Sequence, residues 1–252
     1  MVSRAERARS FGSIADDYDR LRPSPSPDAL DWLVPSGCQV AVDVAAGTGL
    51  FTRPLAERVP RVKAVEPDPQ MRAVLAAHAS TVEVLEGTGE SIPLPDASAD
   101  AVFVASAWHW LDPDLAPAEI ARVLRDGGRL GVVWTSRDRD EAWVRDLDRL
   151  PGEPPWDRDL ESRHRLRRDG AIAENGPFGN VARASFGFTR RMNVADIVEM
   201  LGTYSAVITG SAADREAVFE RARQSLAERF PGATEIDFPM RTWCWRADRL
   251  DR

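Results

Sequence analysis

Val42-Asp43-Val44-Ala45-Ala46-Gly47-Thr48-Gly49-Leu50-Phe51-Thr52 reads as an apolar strand that closes on a carboxylate and passes into a turn with no bulky side chain before Leu50. Val40, Ala41, Val42 and Val44 offer apolar side chains to both faces, as a parallel strand buried between two helical layers requires. Ala45, Gly47 and Gly49 let the chain turn sharply and approach a ligand where a larger side chain would block it. The stretch predicts a buried strand and the ligand-binding turn of an α/β fold.

Downstream, Val62, Ala64 and Val65 form a second apolar run that ends at Glu66, 17 residues after Gly49. An acidic residue closing the second strand is placed to accept hydrogen bonds from ribose hydroxyls. The turn itself is not the G-x-G-x-x-G of dinucleotide sites, because position 52 is Thr where the third glycine would pack a helix against a pyrophosphate. No P-loop lysine follows either. A ligand with a ribose but without phosphates fits better, and S-adenosylmethionine is the common one.

The rest of the chain alternates strands and helices. Residues 4–19 are helix-prone, with Phe11, Ile14 and Tyr18 as an apolar stripe, and Ser26-Pro27 and Asp68-Pro69 each start a helix. Residues 81–85 and 101–105 predict strands three and four. Ile120, Val123 and Leu124 predict a helix that ends at Gly127-Gly128 and feeds a fifth strand over 130–135. Such βαβ repetition implies a parallel sheet wound on both sides. Beyond it, Pro151 to Pro155 break a charged segment, residues 181–188 alternate like a strand, and 193–201 and 212–230 read as helices. Ile236, Phe238 and Met240 alternate as a last strand that Pro239 pushes toward a sheet edge or a bulge.

Six segments in order resemble the class I S-adenosylmethionine-dependent methyltransferases, in particular their small-molecule "type 11" group with the trans-aconitate methyltransferase-like proteins. They are residues 11–23 (with Tyr18, Arg22 and Pro23), Asp43 to Gly49, Val65-Glu66-Pro67-Asp68 with Met71, Gly87 to Pro93, Ala107-Trp108-His109-Trp110, and Leu124 to Leu130, with a weaker echo at 241–246. The resemblance implies a Rossmann-like, doubly wound, seven-stranded, mostly parallel sheet with an N-terminal helical segment (1–35), a cofactor core (36–136), a cap after strand five (137–200) and a C-terminal helix and strand (201–252), all one domain. It also implies a site. Tyr18, Arg22, Asp43, Ala45, Gly47, Gly49, Glu66, Pro67, Met71, Thr88, Gly89, Glu90, Ala105 and Ser106 would hold S-adenosylmethionine, with S-adenosylhomocysteine as product. Trp108, Trp110 and Trp134 would wall the substrate pocket. Arg22 would pair with the cofactor carboxylate through its planar fork, with an ordinary salt bridge or a helix-end arginine as its other reading.

Two positions depart from the family pattern. Ala45 stands where the first glycine of the turn is expected, and Thr88 where an acidic residue often sits in the third loop. Catalysis by this class is alignment for an in-line transfer, and a base is needed only if the acceptor carries a proton. His109 is the candidate base, with loop packing as its other reading. The expected acceptor is a small molecule with a carboxylate, a hydroxyl or a similar group, and the sequence does not separate oxygen, nitrogen, sulfur and carbon as the methylated atom.

Composition narrows the partners. A net charge of −7 argues against nucleic acid as substrate. No run approaches the ~20 apolar residues of a membrane span, and two cysteines suggest no disulfide framework, so a cytoplasmic enzyme acting on a small molecule is expected. His78 and His164 have no neighbours at metal-ligand spacing, so no metal is expected. The arginines at 158, 163, 165, 167 and 168 are interleaved with acids and read as a solvated face. The oligomeric state is left open. The alternatives are a nicotinamide-dependent oxidoreductase, and a protein that binds S-adenosylmethionine without catalysis.

Overall fold

The computed structural model describes residues 12–147, 172, 176–208 and 210–250. A short 3-10 turn, Gly12–Ile14, leads into α1 (Ala15–Leu21) and α2 (Pro27–Leu33). There follow β1 (Val40–Val44), α3 (Thr52–Ala56), β2 (Arg61–Val65), α4 (Pro69–His78), β3 (Glu83–Leu85), β4 (Ala99–Ala105), α5 (Leu115–Val123), β5 (Leu124–Arg137) and α6 (Ala142–Asp146). The chain closes with β6 (Phe178–Asn193), α7 (Val194–Gly202), α8 (Ser205–Ile208), α9 (Ala212–Arg229) and β7 (Glu235–Arg249).

One sheet of seven strands runs in the order β3-β2-β1-β4-β5-β7-β6. β1 to β5 pair in parallel, whereas β7 is antiparallel to both β5 and β6. The doubly wound expectation is met. The winding reverses between β1 and β4, and ligands of such sheets bind at the carboxyl ends of the strands beside that reversal.

The period-two alternation of the strands explains the two layers. Val42, Val44, Val102 and Val104 face a core completed by Ile120 of α5, while Ala41, Ala101 and Phe103 face one completed by Leu30 and Leu33 of α2 and Leu55 of α3. β1 is buried at all five positions. A further core forms where β6 and β7 continue past the last β5 pair, Arg137 with Met240. There Ile236 and Phe238 pack against Ile197 and Leu201 of α7, Ala222 and Leu226 of α9, and Leu21 of α1.

Local capping follows the residues. Ser26 Oγ accepts from the Ala29 amide at 3.2 Å, and Asp68 Oδ1 accepts from the Gln70 and Met71 amides at 2.9 and 3.0 Å.

Several expectations are corrected. β3 is shorter than 81–85, and β4 begins at Ala99. The helix before β5 ends at Val123, because Leu124 is buried and already pairs with Ala99. The next pair is Ala101 with Arg129, so the intervening residues bulge outward and Gly127, with φ +68°, serves that bulge instead of a helix end.

β7 is an internal strand. Pro239 is tolerated because its carbonyl accepts from the Asp138 amide at 2.9 Å, which turns the side lacking an N–H toward the end of β5, away from β6.

Within 137–200 the described residues are no separate cap, since 178–193 form the edge strand of the sheet. The Pro151 to Pro155 break, the arginines at 158–168 and His164 lie outside the described residues, as does Phe11. In α1 the buried positions are Ala15 and Leu21; Tyr18 faces the cavity instead of joining an apolar stripe.

Candidate functional site

The turn after β1 holds two left-handed residues around the cavity, Ala45 at φ +55° and Gly47 at φ +58°. Both line it. A Cβ added to Gly47 would meet nothing within 4 Å, so this backbone is open to the cavity. Gly49, at φ +90°, acts differently. A Cβ there would lie 2.3 Å from Leu75 Cδ1, and its absence lets the turn seat on α4. Gly49 does not reach the cavity wall.

Glu66 closes β2 and is tied to both flanking loops. Its Oε2 accepts from the Gly47 amide at 2.8 Å and its Oε1 from the Asp68 amide at 2.9 Å. Burial raises its pKa, partly opposed by those two amides. Each carboxylate oxygen retains lone-pair capacity toward the cavity it lines. Pro67, Asp68 and Met71 extend the same wall.

Asp43 lies behind this wall instead of in it. It is fully buried, its Oδ2 accepts from Thr52 Oγ1 at 2.6 Å, and its Oδ1 has no hydrogen-bond partner among the described residues. Burial pushes its carboxyl up to about 7, with the Thr52 hydroxyl opposing and Glu66 reinforcing the shift. Its part is to brace the turn against α3. It does not line the cavity.

Thr88, Gly89 and Glu90 form the third side. Thr88 pairs with Ser91 through the backbone, and Glu90 Oε1 accepts from the Asp112 amide at 2.7 Å, which ties this loop to the one after β4. At the end of β4, Ala105 and Ser106 reach the cavity, Ser106 again with a positive φ of +56°. His109 and Trp110 line it as well. The His109 ring stacks 5.9 Å from Trp134 at 29° and lies 4.5 Å from Trp110, so it is held by aromatic packing as well as facing the cavity. Trp134 is a wall residue, but Trp108 packs into the core beside it and does not line the cavity.

The fourth wall combines distant parts of the chain: Tyr18 and Arg22 from α1 and its end, Thr135 from β5, and Tyr204 after α7. Arg22 Nη2 donates to the Thr203 carbonyl at 2.9 Å, and its Cζ lies 3.7 Å from the centroid of the Tyr204 ring and 5.2 Å from that of Tyr18. Its buried Nε has no hydrogen-bond partner among the described residues. Arg190 of β6 holds the end of α1 by donating to the carbonyls of Leu21 at 2.9 Å and of Arg20 and Arg22 at 3.2 Å.

Sequence reasoning missed Tyr204, Thr135, Ala107, Leu111 and Asp68 as wall residues. Asp68, Ala107 and Leu111 adjoin residues it named. Thr135 likewise adjoins Trp134, and Tyr204 carries no local signal.

Among the described residues no three His, Cys, Asp or Glu side chains are grouped to hold a metal, and no helix is long and apolar enough to cross a membrane. His78 instead lies 3.5 Å from Asp19, which also pairs with Arg53 at 2.9 Å.

The chain is similar to several known proteins. The family profile Methyltransf_11, a methyltransferase domain, matches residues 42–132. The chain is 40% identical over 250 residues to the uncharacterized methyltransferase Rv3342 of Mycobacterium tuberculosis, covering 97% of this chain and 98% of the relative. It is 28% identical over 234 residues to the uncharacterized methyltransferase-like protein C25B8.10 of Schizosaccharomyces pombe, covering 91% and 90%. A provisionally assigned Type II methyltransferase from Anaeromyxobacter dehalogenans superposes with a TM-score of 0.66 at 26% identity, over 92% of this chain and 99% of that one.

Proposed function

From the premise that the chain belongs to the methyltransferase family, we propose that it is an S-adenosylmethionine-dependent enzyme whose cofactor lies along the carboxyl ends of β1, β2 and β4 and whose acceptor is a small molecule bound against β5 and Tyr204. The observation that carries the cofactor placement is the Glu66–Gly47 pair. A carboxylate fixed at 2.8 Å by the amide of a residue with no side chain presents its remaining lone pairs to open space, which suits ribose hydroxyls. Arg22, with a buried and unmatched Nε at the same cavity, suits a carboxylate. These residues fit the group.

When bound, S-adenosylmethionine supplies a methyl group already activated on a sulfonium. The residues of the chain then align and exclude water, a contribution that reaches ~7–11 kcal/mol in well-oriented cases. Glu66 fixes the ribose end, Thr88 and its neighbouring amides the adenine end, and Arg22 with Tyr18 the amino-acid end. Ala105, Ser106, His109 and Trp110 form the floor between cofactor and acceptor. Trp110 and Trp134 offer aromatic faces to a cation or a flat acceptor. The placement in the type 11 group is supported by the family profile; a trans-aconitate-like acceptor rests on the sequence segments alone. Family membership disfavours the nicotinamide alternative.

The test is calorimetric titration of the protein with S-adenosylmethionine, S-adenosylhomocysteine and NAD, with Glu66→Ala alongside. Binding of the first two, lost in the variant, is the expected result; binding of NAD alone would sink the proposal.

A further inference from the structure

Tyr204 stands at the acceptor side of the cavity between two guanidinium groups. Arg22 Cζ is 3.7 Å and Arg137 Cζ 4.5 Å from the centroid of its ring, and its Oη lies 3.4 Å from Ser136 Oγ. The groups come from separate elements: Arg22 follows α1, Ser136 and Arg137 end β5, and Tyr204 follows α7. Packing in the layer built by α7, α9 and the β6–β7 extension holds the tyrosine there. A cation over the face of a phenol ring stabilises negative charge on its oxygen, and a hydroxyl partner adds to it.

His109, the other candidate, packs against Trp110 and Trp134. Tyr204 is a wall residue whose surroundings favour its base form.

We propose that Tyr204 is the proton acceptor of the reaction, and that the methyl acceptor is therefore a small molecule with an acidic hydroxyl of the phenol or enol type, not a carboxylate. The inference rests on the cofactor placement proposed above. The acceptor's O–H proton passes to the Tyr204 phenolate oxygen. The electron pair of that O–H bond stays on oxygen, which forms the new O–CH3 bond as the C–S bonding pair returns to sulfur. The proton is then released from Tyr204 to solvent. A carboxylate acceptor has no proton to lose and gives Tyr204 no such part.

The acid–base environment agrees with the geometry. Burial alone would raise the phenol, but Arg137, Arg22, the Ser136 contact and Arg139 outweigh it and bring Tyr204 down to about 8 from its ordinary 10. A base near the working pH is the efficient choice for proton transfer. A phenol or enol hydroxyl is within reach of such a base, whereas a carboxylic acid is already ionised.

The chain contains two tyrosines, Tyr18 and Tyr204, so tyrosinate absorbance against pH resolves them without any ligand. One phenol is expected to ionise near 8 in the native protein; it is expected to persist in Tyr18→Phe and to vanish in Tyr204→Phe. The absence of any phenol ionising near 8 would overturn the proposal, a result readable on the native protein even if Tyr204→Phe does not fold.

The acceptor class is read separately, by S-adenosylhomocysteine formation with paired acceptors that carry a phenol or a carboxylate on the same ring. Turnover of the phenol member, with Tyr204→Phe lowering kcat by ~10²–10⁴ while cofactor affinity is unchanged, supports it. Turnover of the carboxylate member alone overturns it. Failure of the cofactor placement would appear instead as no binding of S-adenosylhomocysteine, with the Tyr204 ionisation still near 8.

Discussion

The two sides of the cavity are built by different means. On the β1–β2–β4 side the key contacts join residues close in the chain: Gly47 to Glu66 across 19 residues, Asp112 to Glu90 across 22. On the β5–β7–β6 side they join residues far apart: Arg22 to Thr203 across 181, Arg190 to Leu21 across 169, Ser136 to Tyr204 across 68. The first side is fixed by strand ends and turns, so its geometry belongs to the sheet. The second is fixed by side chains that meet only when α1 and α7 have packed, so it is free to differ among proteins that share the first. That division is what an enzyme class with one cofactor and many acceptors requires.

The largest effect is expected from Glu66→Ala, which strikes the cofactor side alone. Two charge-assisted bonds to ribose at ~1.5–3 kcal/mol each correspond to a roughly 10²–10⁴-fold loss of S-adenosylhomocysteine affinity. Tyr204 should ionise as before. Calorimetry and the absorbance titration read the two sides independently, and a shift in both would erase the division.

Asp43→Asn comes next, and tests whether burial holds this carboxyl neutral behind the wall. Its carboxyl stands at about 7 in the folded protein against an ordinary 3.8. Between those values the unfolded chain holds fewer protons than the folded one, so this residue's contribution to stability falls as pH rises from about 4 to about 7 and is constant above. The swing is on the order of 4 kcal/mol. Asparagine is neutral throughout, and its carbonyl still accepts from Thr52. The melting temperature of the variant is therefore expected to gain on that of the native protein as pH rises through this window. A gap independent of pH would show that burial does not raise the Asp43 carboxyl.

These two residues also mark how far the sequence could be read. Glu66 and Gly47 were legible because a strand end and a turn state their business within a few residues, as do the caps Ser26 and Asp68. Asp43 was legible as a buried carboxylate but not as one held at one oxygen by Thr52, since nothing in the spacing says which way a strand-end side chain points. Tyr204 was silent: it follows an ordinary helix and acquires its meaning from Arg22 and Arg137, which the fold brings to it. The internal position of β7 was hidden in the same way. Pro239 argued for an edge by local rule, and only the end of β5 beside it removes the need for its missing N–H.

Arg22→Gln is the one substitution expected to move both sides. Loss of the cation should weaken S-adenosylhomocysteine about 10-fold, as removal of one charged hydrogen-bonding group does. It should also raise the Tyr204 ionisation above its value of about 8, because Arg22 is one of the two charges that lower it most. Movement of the affinity alone would mean that Arg22 serves the cofactor without acting on Tyr204. Movement of the ionisation alone would assign it to the acceptor.

The smallest effect separates strain from space. Ala45 and Ser106 hold φ of +55° and +56° at the ends of β1 and β4, the two strands that flank the reversal of the sheet, and both line the cavity. Ala97 has a similar φ of +50° but lies away from it. A left-handed L-residue costs ~1–2 kcal/mol, and glycine relieves that while losing ~0.4–1 kcal/mol to the greater freedom of the unfolded chain. Ala45→Gly and Ala97→Gly should each gain up to ~1 kcal/mol in denaturant unfolding. If the strained turn is kept because it presents the Gly47 amide and Glu66 to the ligand in a fixed orientation, Ala45→Gly should gain that stability and lose affinity for S-adenosylhomocysteine. Ala97→Gly should gain it with the affinity unchanged. Tighter binding by Ala45→Gly would mean the opposite, that the methyl group merely occupies room beside the cofactor, and would place the strain at Ala45 with that at Ala97, as a consequence of the fold alone.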